Sequence, residues 1–170
     1  NLNLADPFAQ RPIFSDFTGV GTASNIGATS ETESLEKDHG GKPGGKSVWM
    51  GWRAPGDGVA TFTTAGSGFD TLLAVYTGAA VNSLVTVTGD DEGGGYHTGA
   101  VTFTAKKGTE YQIAVDGFAG ATGSIMLSWD LIGSAQDDVP KIRFVTGDKV
   151  VRKGEPVRFT VFAENKFGTD

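Results

Sequence analysis

The stretch Gly123-Ser124-Ile125-Met126-Leu127-Ser128-Trp129-Asp130-Leu131 decides the fold. Ile125, Leu127, Trp129 and Leu131 occupy every second position, against Met126, Ser128 and Asp130. Successive side chains of an extended strand point to opposite faces, so this spacing gives one apolar side and one mostly polar side. The same period returns upstream. Val101 and Phe103 oppose Thr102 and Thr104, and Tyr111, Ile113 and Val115 oppose Gln112 and Ala114. Further short apolar runs at 47–53, 59–64, 71–76 and 84–88 are bounded by Gly, Pro, Asp or Asn, the residues that turn a chain. Strands with one hidden and one wet face make antiparallel sheets, and this many of them make two packed layers. The predicted fold is all-β, an antiparallel, jelly-roll-like sandwich of about eight or nine strands over residues 1–133.

Outward from these runs the pattern loosens. Residues 13–18 and 22–28 read as strands, and 7–10 as a helical turn. Residues 30–45 read as one long polar loop holding Glu31, Glu33, Glu36, Asp38, His39 and several glycines. Loops of that length in compact domains are functional or disordered. At the other end, Gly133-Ser134-Ala135-Gln136-Asp137-Asp138-Val139-Pro140 reads as the end of the sandwich and a polar linker over 134–140. Alternation resumes at 141–146 and 156–163, where Val157, Phe159 and Val161 oppose Arg158, Thr160 and Phe162. This pattern resembles the opening strands of an immunoglobulin-like or PKD-like domain, and the expectation is an incomplete immunoglobulin-like domain over 141–170, since such a sandwich needs roughly 100 residues.

Composition narrows the partners. Hydrophobic residues make up 38% of the 170, with 11 Phe, 3 Trp and 3 Tyr, enough for a packed core. The 26 glycines carry no three-residue period and fall between apolar runs, as turns do. With 14 basic and 20 acidic residues the net charge is −6, and no stretch interleaves Lys and Arg with aromatics. Nucleic acid and anionic membrane surfaces are therefore poor partners. No apolar run reaches the ~18 residues that span a bilayer. The absence of cysteine excludes disulfides, thiolate metal sites and a thiol nucleophile together. A start at Asn1 suits a mature secreted chain or a piece of a longer protein.

Gly40-Gly41-Lys42-Pro43-Gly44-Gly45-Lys46-Ser47 matches the phosphate-loop pattern letter for letter. A working phosphate loop follows a buried strand and opens a helix, whose N-terminal amides meet the phosphates. Here charged residues precede and a strand-like run follows, so the expected role is a glycine turn. His39 and His97 read as exposed loop histidines, and no Gly-x-Ser-x-Gly elbow frames a nucleophile. No catalysis is expected. The acidic residues Glu31, Asp70, Asp90, Asp91 and Asp116 sit in loops or at strand ends, where carboxylates either ligate calcium or cap turns through their own side chains. Trp49, Trp52 and Trp129 lie within strands, where core packing is the default. Trp49 is also the candidate for stacking on a ligand.

Several of these runs together resemble the bacterial pre-peptidase C-terminal domain. They are Ser47-Val48-Trp49-x-x-Trp52-x-Ala54-Pro55, Gly66-Ser67-x-Phe69-Asp70-Thr71-x-Leu73-Ala74-Val75-Tyr76-Thr77-Gly78, Asp90-Asp91 and Tyr111-x-Ile113-Ala114-Val115-Asp116-Gly117. Asn25-x-Gly27-Ala28-Thr29-x-Glu31 upstream and Thr122-Gly123-x-Ile125-x-Leu127 downstream complete the order over roughly residues 4–132. Met50 stands where members often carry a second tryptophan, and Thr32-Glu33-Ser34-Leu35-Glu36 replaces a proline-rich stretch. The resemblance implies a β-sandwich accessory module of a secreted bacterial protein, in a family where some members bind calcium and some bind collagen or other polymers. The expectation is an extracellular binding or adhesion module, secreted or at the cell surface, facing an extracellular polymer or protein. Two alternatives follow from the same residues. One is a subunit of an extracellular fibre that completes neighbouring copies by strand addition. The other is an accessory domain of a secreted peptidase or glycoside hydrolase.

Overall fold

The computed structural model describes residues 1–31 and 36–133, and beyond them the strands Lys141–Phe144 and Val161–Glu164. By contacts the chain divides into two compact units, Asn1–Ile132 and Gly133–Asp170.

In order, the first strands are β1 (Ile13–Phe14), β2 (Thr18–Ser24), β3 (Val48–Arg53), β4 (Gly58–Thr63) and β5 (Thr71–Thr77). β6 (Val85–Asp90), β7 (Ala100–Ala105), β8 (Glu110–Gly117) and β9 (Ser124–Gly133) follow. They form a five-stranded sheet, β1-β3-β8-β5-β6, and a four-stranded sheet, β2-β9-β4-β7. The antiparallel pairs are nested: β2 with β9, β3 with β8, β4 with β7, and β5 with β6. Alternate pairs in that nest fall in alternate sheets, which is the winding of a jelly roll. The expected all-β sandwich is therefore the observed fold.

Between the sheets lies one aromatic core. Trp52 meets Phe62 edge-on at 5.3 Å between ring centroids, and Phe62 stacks on Trp129 at 6.1 Å. Phe103 and Tyr111 close the cluster at 4.8 Å. Alternation on β4, β7 and β9 feeds this core as the sequence requires, with Ala60, Phe62, Val101, Phe103, Ile125 and Leu127 buried. Gly19 on β2 pairs with Trp129 and leaves room for its indole: a Cβ there would sit 2.1 Å from Trp129 Cζ2.

The five-stranded sheet departs from the one-face expectation. β3, β5 and β8 are buried on both faces. A second apolar cluster, Phe8, Trp49, Ala74, Tyr76, Val81, Leu84 and Ala114, covers their outer side. Two short 3-10 turns, Phe8–Gln10 and Val81–Ser83, supply Phe8 and Val81 to it. Arg11 ties the N-terminal segment down, with its guanidinium 3.8 Å from the Phe8 ring centroid and 3.2 Å from Glu110.

Two boundaries move. The strand expected at 13–18 ends at Phe14, and 15–17 crosses from one sheet to the other. The strand expected at 22–28 ends at Ser24, because Asn25 turns inward and is wholly buried. Its amide donates to the Lys46 and Ala121 carbonyls at 3.1 Å each and accepts from Gly123 N–H at 2.9 Å.

In the second unit β10 (Lys141–Phe144) pairs antiparallel with β11 (Val161–Glu164), Lys141 facing Glu164 and Phe144 facing Val161. The 134–140 linker lies outside the described residues, as do residues 145–160 and 165–170.

Candidate functional site

The described parts of the 30–45 loop, residues 30–31 and 36–45, lie over the outer face of the five-stranded sheet, held by two buried polar anchors. The first is Asp116 on β8, 2% exposed. Its carboxylate accepts the backbone N–H groups of Gly45 at 2.9 Å, Lys46 at 2.6 Å and Gly117 at 2.7 Å. A Cβ at Gly44 would fall 1.9 Å from Asp116 Oδ2, so only glycine lets the loop approach this closely.

The second anchor is a chain of side chains beneath the loop. His39 Nδ1 lies 2.8 Å from the Tyr76 hydroxyl, and His39 Nε2 lies 2.9 Å from Glu36 Oε1. Ser47 donates its hydroxyl to the same Glu36 oxygen, and Glu31 N–H donates to the other. Burial pushes the Tyr76 phenol well up, so it stays protonated and can donate to the imidazole. Burial would also raise Glu36, but the hydrogen bonds from His39, Ser47 and the Glu31 backbone outweigh it and hold the carboxyl below its ordinary value. An imidazole carrying its proton on Nε2 satisfies every member of this chain. His39 is 1% exposed, which corrects the expectation of an exposed loop histidine. Its burial depends on Glu36 and Tyr76, and the polar sequence around it hides that.

The phosphate-loop match is a glycine turn. Gly40, Gly41 and Gly45 have φ of 60°, 73° and 118°, and Ser47 leads into β3 rather than a helix.

Trp49 is fully buried, with Phe8 and His39 set edge-on at 5.1 Å each and Tyr76 at 6.1 Å. Stacking on a ligand from solution is thus closed to it: the outer cluster has taken its ring as core. Trp52 and Trp129 are core residues as well.

Among the described residues, no three of the five expected calcium ligands come together. Asp116 is engaged with the three amides described above. Asp90 Oδ2 accepts Gly93 N–H at 2.6 Å and Ala100 N–H at 2.9 Å, the turn-capping alternative. Asp91 faces Lys42 Nζ at 3.5 Å, and Glu31 accepts Phe8 N–H. Calcium takes six to eight oxygens converging on one point, and among the described residues no three of these carboxylates share one. Asp70 alone has metal-type neighbours. Among the described residues, the one trio of His, Asp and Glu side chains close enough to share an ion is Asp70, Glu92 and His97. Glu92 and His97 flank the glycine run 93–95 in the β6–β7 loop, and β5–β6 pairing brings that loop to the start of β5.

The same loop holds two of the three described non-glycine residues with positive φ. Tyr96 and His97 hold left-handed backbone at φ of 52° and 63°, and Tyr96 is 101% exposed. Main-chain bonds fix this shape: Gly94 N–H donates to the Thr98 carbonyl at 2.7 Å, Gly95 N–H to the Glu92 carbonyl at 3.0 Å, and Thr71 N–H to the His97 carbonyl at 3.0 Å. Thr98 Oγ1 adds a donor to the Gly95 carbonyl. Tyr96 does not stand out in the sequence by period or motif; a tyrosine directly after three glycines is the available signal of its exposed, left-handed position.

Compared with models of known protein families, with curated proteins and with solved structures, the chain matches none. Among the described residues no helix is long and apolar enough to cross a membrane.

Proposed function

We propose that this chain is a non-catalytic binding module of a secreted or cell-surface bacterial protein, of the pre-peptidase C-terminal kind, that grips an extracellular polymer or protein through its 90–99 loop. One observation carries the reading: a wholly exposed Tyr96 at the tip of a braced loop, next to His97 in the same left-handed backbone. Left-handed backbone costs a non-glycine residue about 1–3 kcal/mol, and such strain gathers where ligands are held. An exposed tyrosine offers a large apolar face and a hydroxyl at little loss of freedom, the combination that dominates binding loops. The motif order over roughly residues 4–132 supports the family assignment, and the lack of cysteine suits a bacterial secreted chain. His39 is buried with both ring nitrogens hydrogen-bonded, to Tyr76 and Glu36, which fits a structural role.

Affinity electrophoresis in gels cast with soluble polysaccharides, together with capture on immobilised collagen, tests the reading. Retardation or capture should fall at least tenfold in Tyr96→Ala with no change in melting temperature. Equal binding by Tyr96→Ala, or no interaction with either probe set, would remove it.

A fibre subunit is the second reading, and the β10–β11 pair favours it. Two strands alone are marginal, and among the described residues neither has a partner on its outer edge, where another strand could pair. A sedimentation series that stays monomeric at every concentration excludes this assembly.

A further inference from the structure

We propose that Asp70, Glu92 and His97 form a binding site for a divalent cation of the zinc class. The inference goes beyond the polymer-binding reading and does not depend on it.

The geometry comes first. The donor atoms of the three side chains all lie within 4.8 Å of one another. His97 Nδ1 is 3.2 Å from Glu92 Oε1 and 4.0 Å from Asp70 Oδ2. Bonds of about 2.0–2.2 Å to nitrogen and oxygen place neighbouring ligand atoms of a tetrahedral zinc shell about 3.3–3.6 Å apart. The Glu92–His97 edge already has that spacing. Asp70 has to close by about 0.5–1.5 Å, which a side-chain rotation supplies. Its carboxylate is free to do so. Among the described residues no N–H or O–H donates a hydrogen bond to it, unlike the carboxylates of Asp90 and Asp116.

The donor chemistry selects the ion. Calcium and magnesium take oxygen ligands almost without exception, whereas an imidazole nitrogen with two carboxylates suits zinc and its first-row neighbours. His97 is therefore the residue that turns an acidic corner away from calcium. Side-chain exposures of 70% for His97 and 60% for Glu92 leave the remaining coordination position open to water or to a ligand group.

The main chain holds these ligands near one another before any ion arrives. Asp70 immediately precedes β5, and Thr71 N–H donates to the His97 carbonyl at 3.0 Å, so the two segments are already joined at the base of the site. An ion would add a second tie above it, directly beside Tyr96.

The test uses the full chain stripped with chelator and titrated with zinc chloride by calorimetry, while proton NMR follows the imidazoles. The chain has 2 histidines, and buried His39 serves as the internal control. The expected result is one saturable site that shifts the His97 signals and leaves those of His39 unmoved. The melting temperature should rise by about 5 °C or more at a hundredfold excess over the dissociation constant. His97→Asn keeps a side chain tolerant of left-handed backbone, and it and Glu92→Gln should each weaken zinc at least tenfold. Tyr96→Ala should bind zinc as before, which separates failure of this site from failure of the polymer-binding reading. Absence of saturable zinc binding, zinc affinity unchanged in His97→Asn, or calcium chloride displacing zinc at equal concentration would each overturn the proposal.

Discussion

Trp52 and Trp129, one from each sheet, donate their indole N–H groups to a single acceptor, the backbone carbonyl of Asp16, at 3.1 and 3.2 Å. Asp16 lies in the short crossing from β1 to β2, so one carbonyl fixes the chain where it changes sheets and satisfies both large rings of the core. Such a carbonyl has two lone pairs, and both are used.

Because the acceptor belongs to the backbone, the Asp16 side chain should be dispensable. Asp16→Ala is expected to change stability by less than about 0.5 kcal/mol, like other exposed substitutions. Trp129→Phe removes buried ring area and one of the two donors, and should cost about 2–3 kcal/mol. Gly19→Ala should be at least as harmful, since its methyl would need the volume the Trp129 ring occupies. Urea denaturation of the three variants checks the order.

Asp116 should be the most sensitive carboxylate in the chain. Asp116→Ala leaves the amides of Gly45, Lys46 and Gly117 without their acceptor and is expected to cost about 3 kcal/mol or more. Asp116→Asn keeps one acceptor oxygen and should lose roughly half of that. Gly44→Ala should release the loop by pushing against the same carboxylate. Hydrogen exchange would then show faster exchange at Gly45 and Lys46 with the β4–β7 amides still protected; uniform loss of protection would mean that the loop has no independent anchor.

The four-stranded sheet was legible because its outer face is wet: Thr61, Thr102 and Thr104 stand opposite Phe62, Val101 and Phe103, and the period shows plainly. The five-stranded sheet was legible as strand but not as a doubly buried layer. Its signal was present in Leu72-Leu73-Ala74-Val75-Tyr76, an unbroken apolar run of the kind that belongs to strands covered on both sides. The cover itself comes from Phe8, far upstream, and from Val81 in the turn just past β5, and no local period announces it. The candidate site was less readable still. Asp70 was identifiable as a strand-end carboxylate, but its meeting with Glu92 and His97 follows from β5–β6 register, with Leu73 facing Asp90, and from positive φ at two non-glycine residues. Neither is written in composition or spacing.

Trp49 and Trp52 are equally buried, yet their indoles should respond differently to substitution. Trp52 donates to Asp16, whereas Trp49 Nε1 has no acceptor among the described protein groups. A buried donor without a partner lowers stability by about 1–3 kcal/mol, so its removal offsets part of the lost packing. Trp49→Phe should therefore cost at least about 1 kcal/mol less than Trp52→Phe. Equal losses in thermal melts would show that the Trp49 nitrogen is satisfied after all.

Acid should act on the loop through Glu36. Its folded carboxyl titrates below the ordinary 4.5, so the stability it supplies is fully present above that value and is lost as the pH falls through the lower, folded one. At neutral pH, Glu36→Gln exchanges charge-assisted hydrogen bonds from His39 and Ser47 for neutral ones and should cost about 2 kcal/mol. The gap between wild type and variant should stay constant from neutral pH down to about pH 5, then narrow below about pH 4.5 as the wild-type carboxyl gains its proton. Melting temperatures of both proteins, measured in steps from about pH 7 to pH 3, give the comparison. A gap that persists undiminished at the acid end would place the stabilisation in side-chain packing, because a protonated Glu36 carries no charge for His39 to meet.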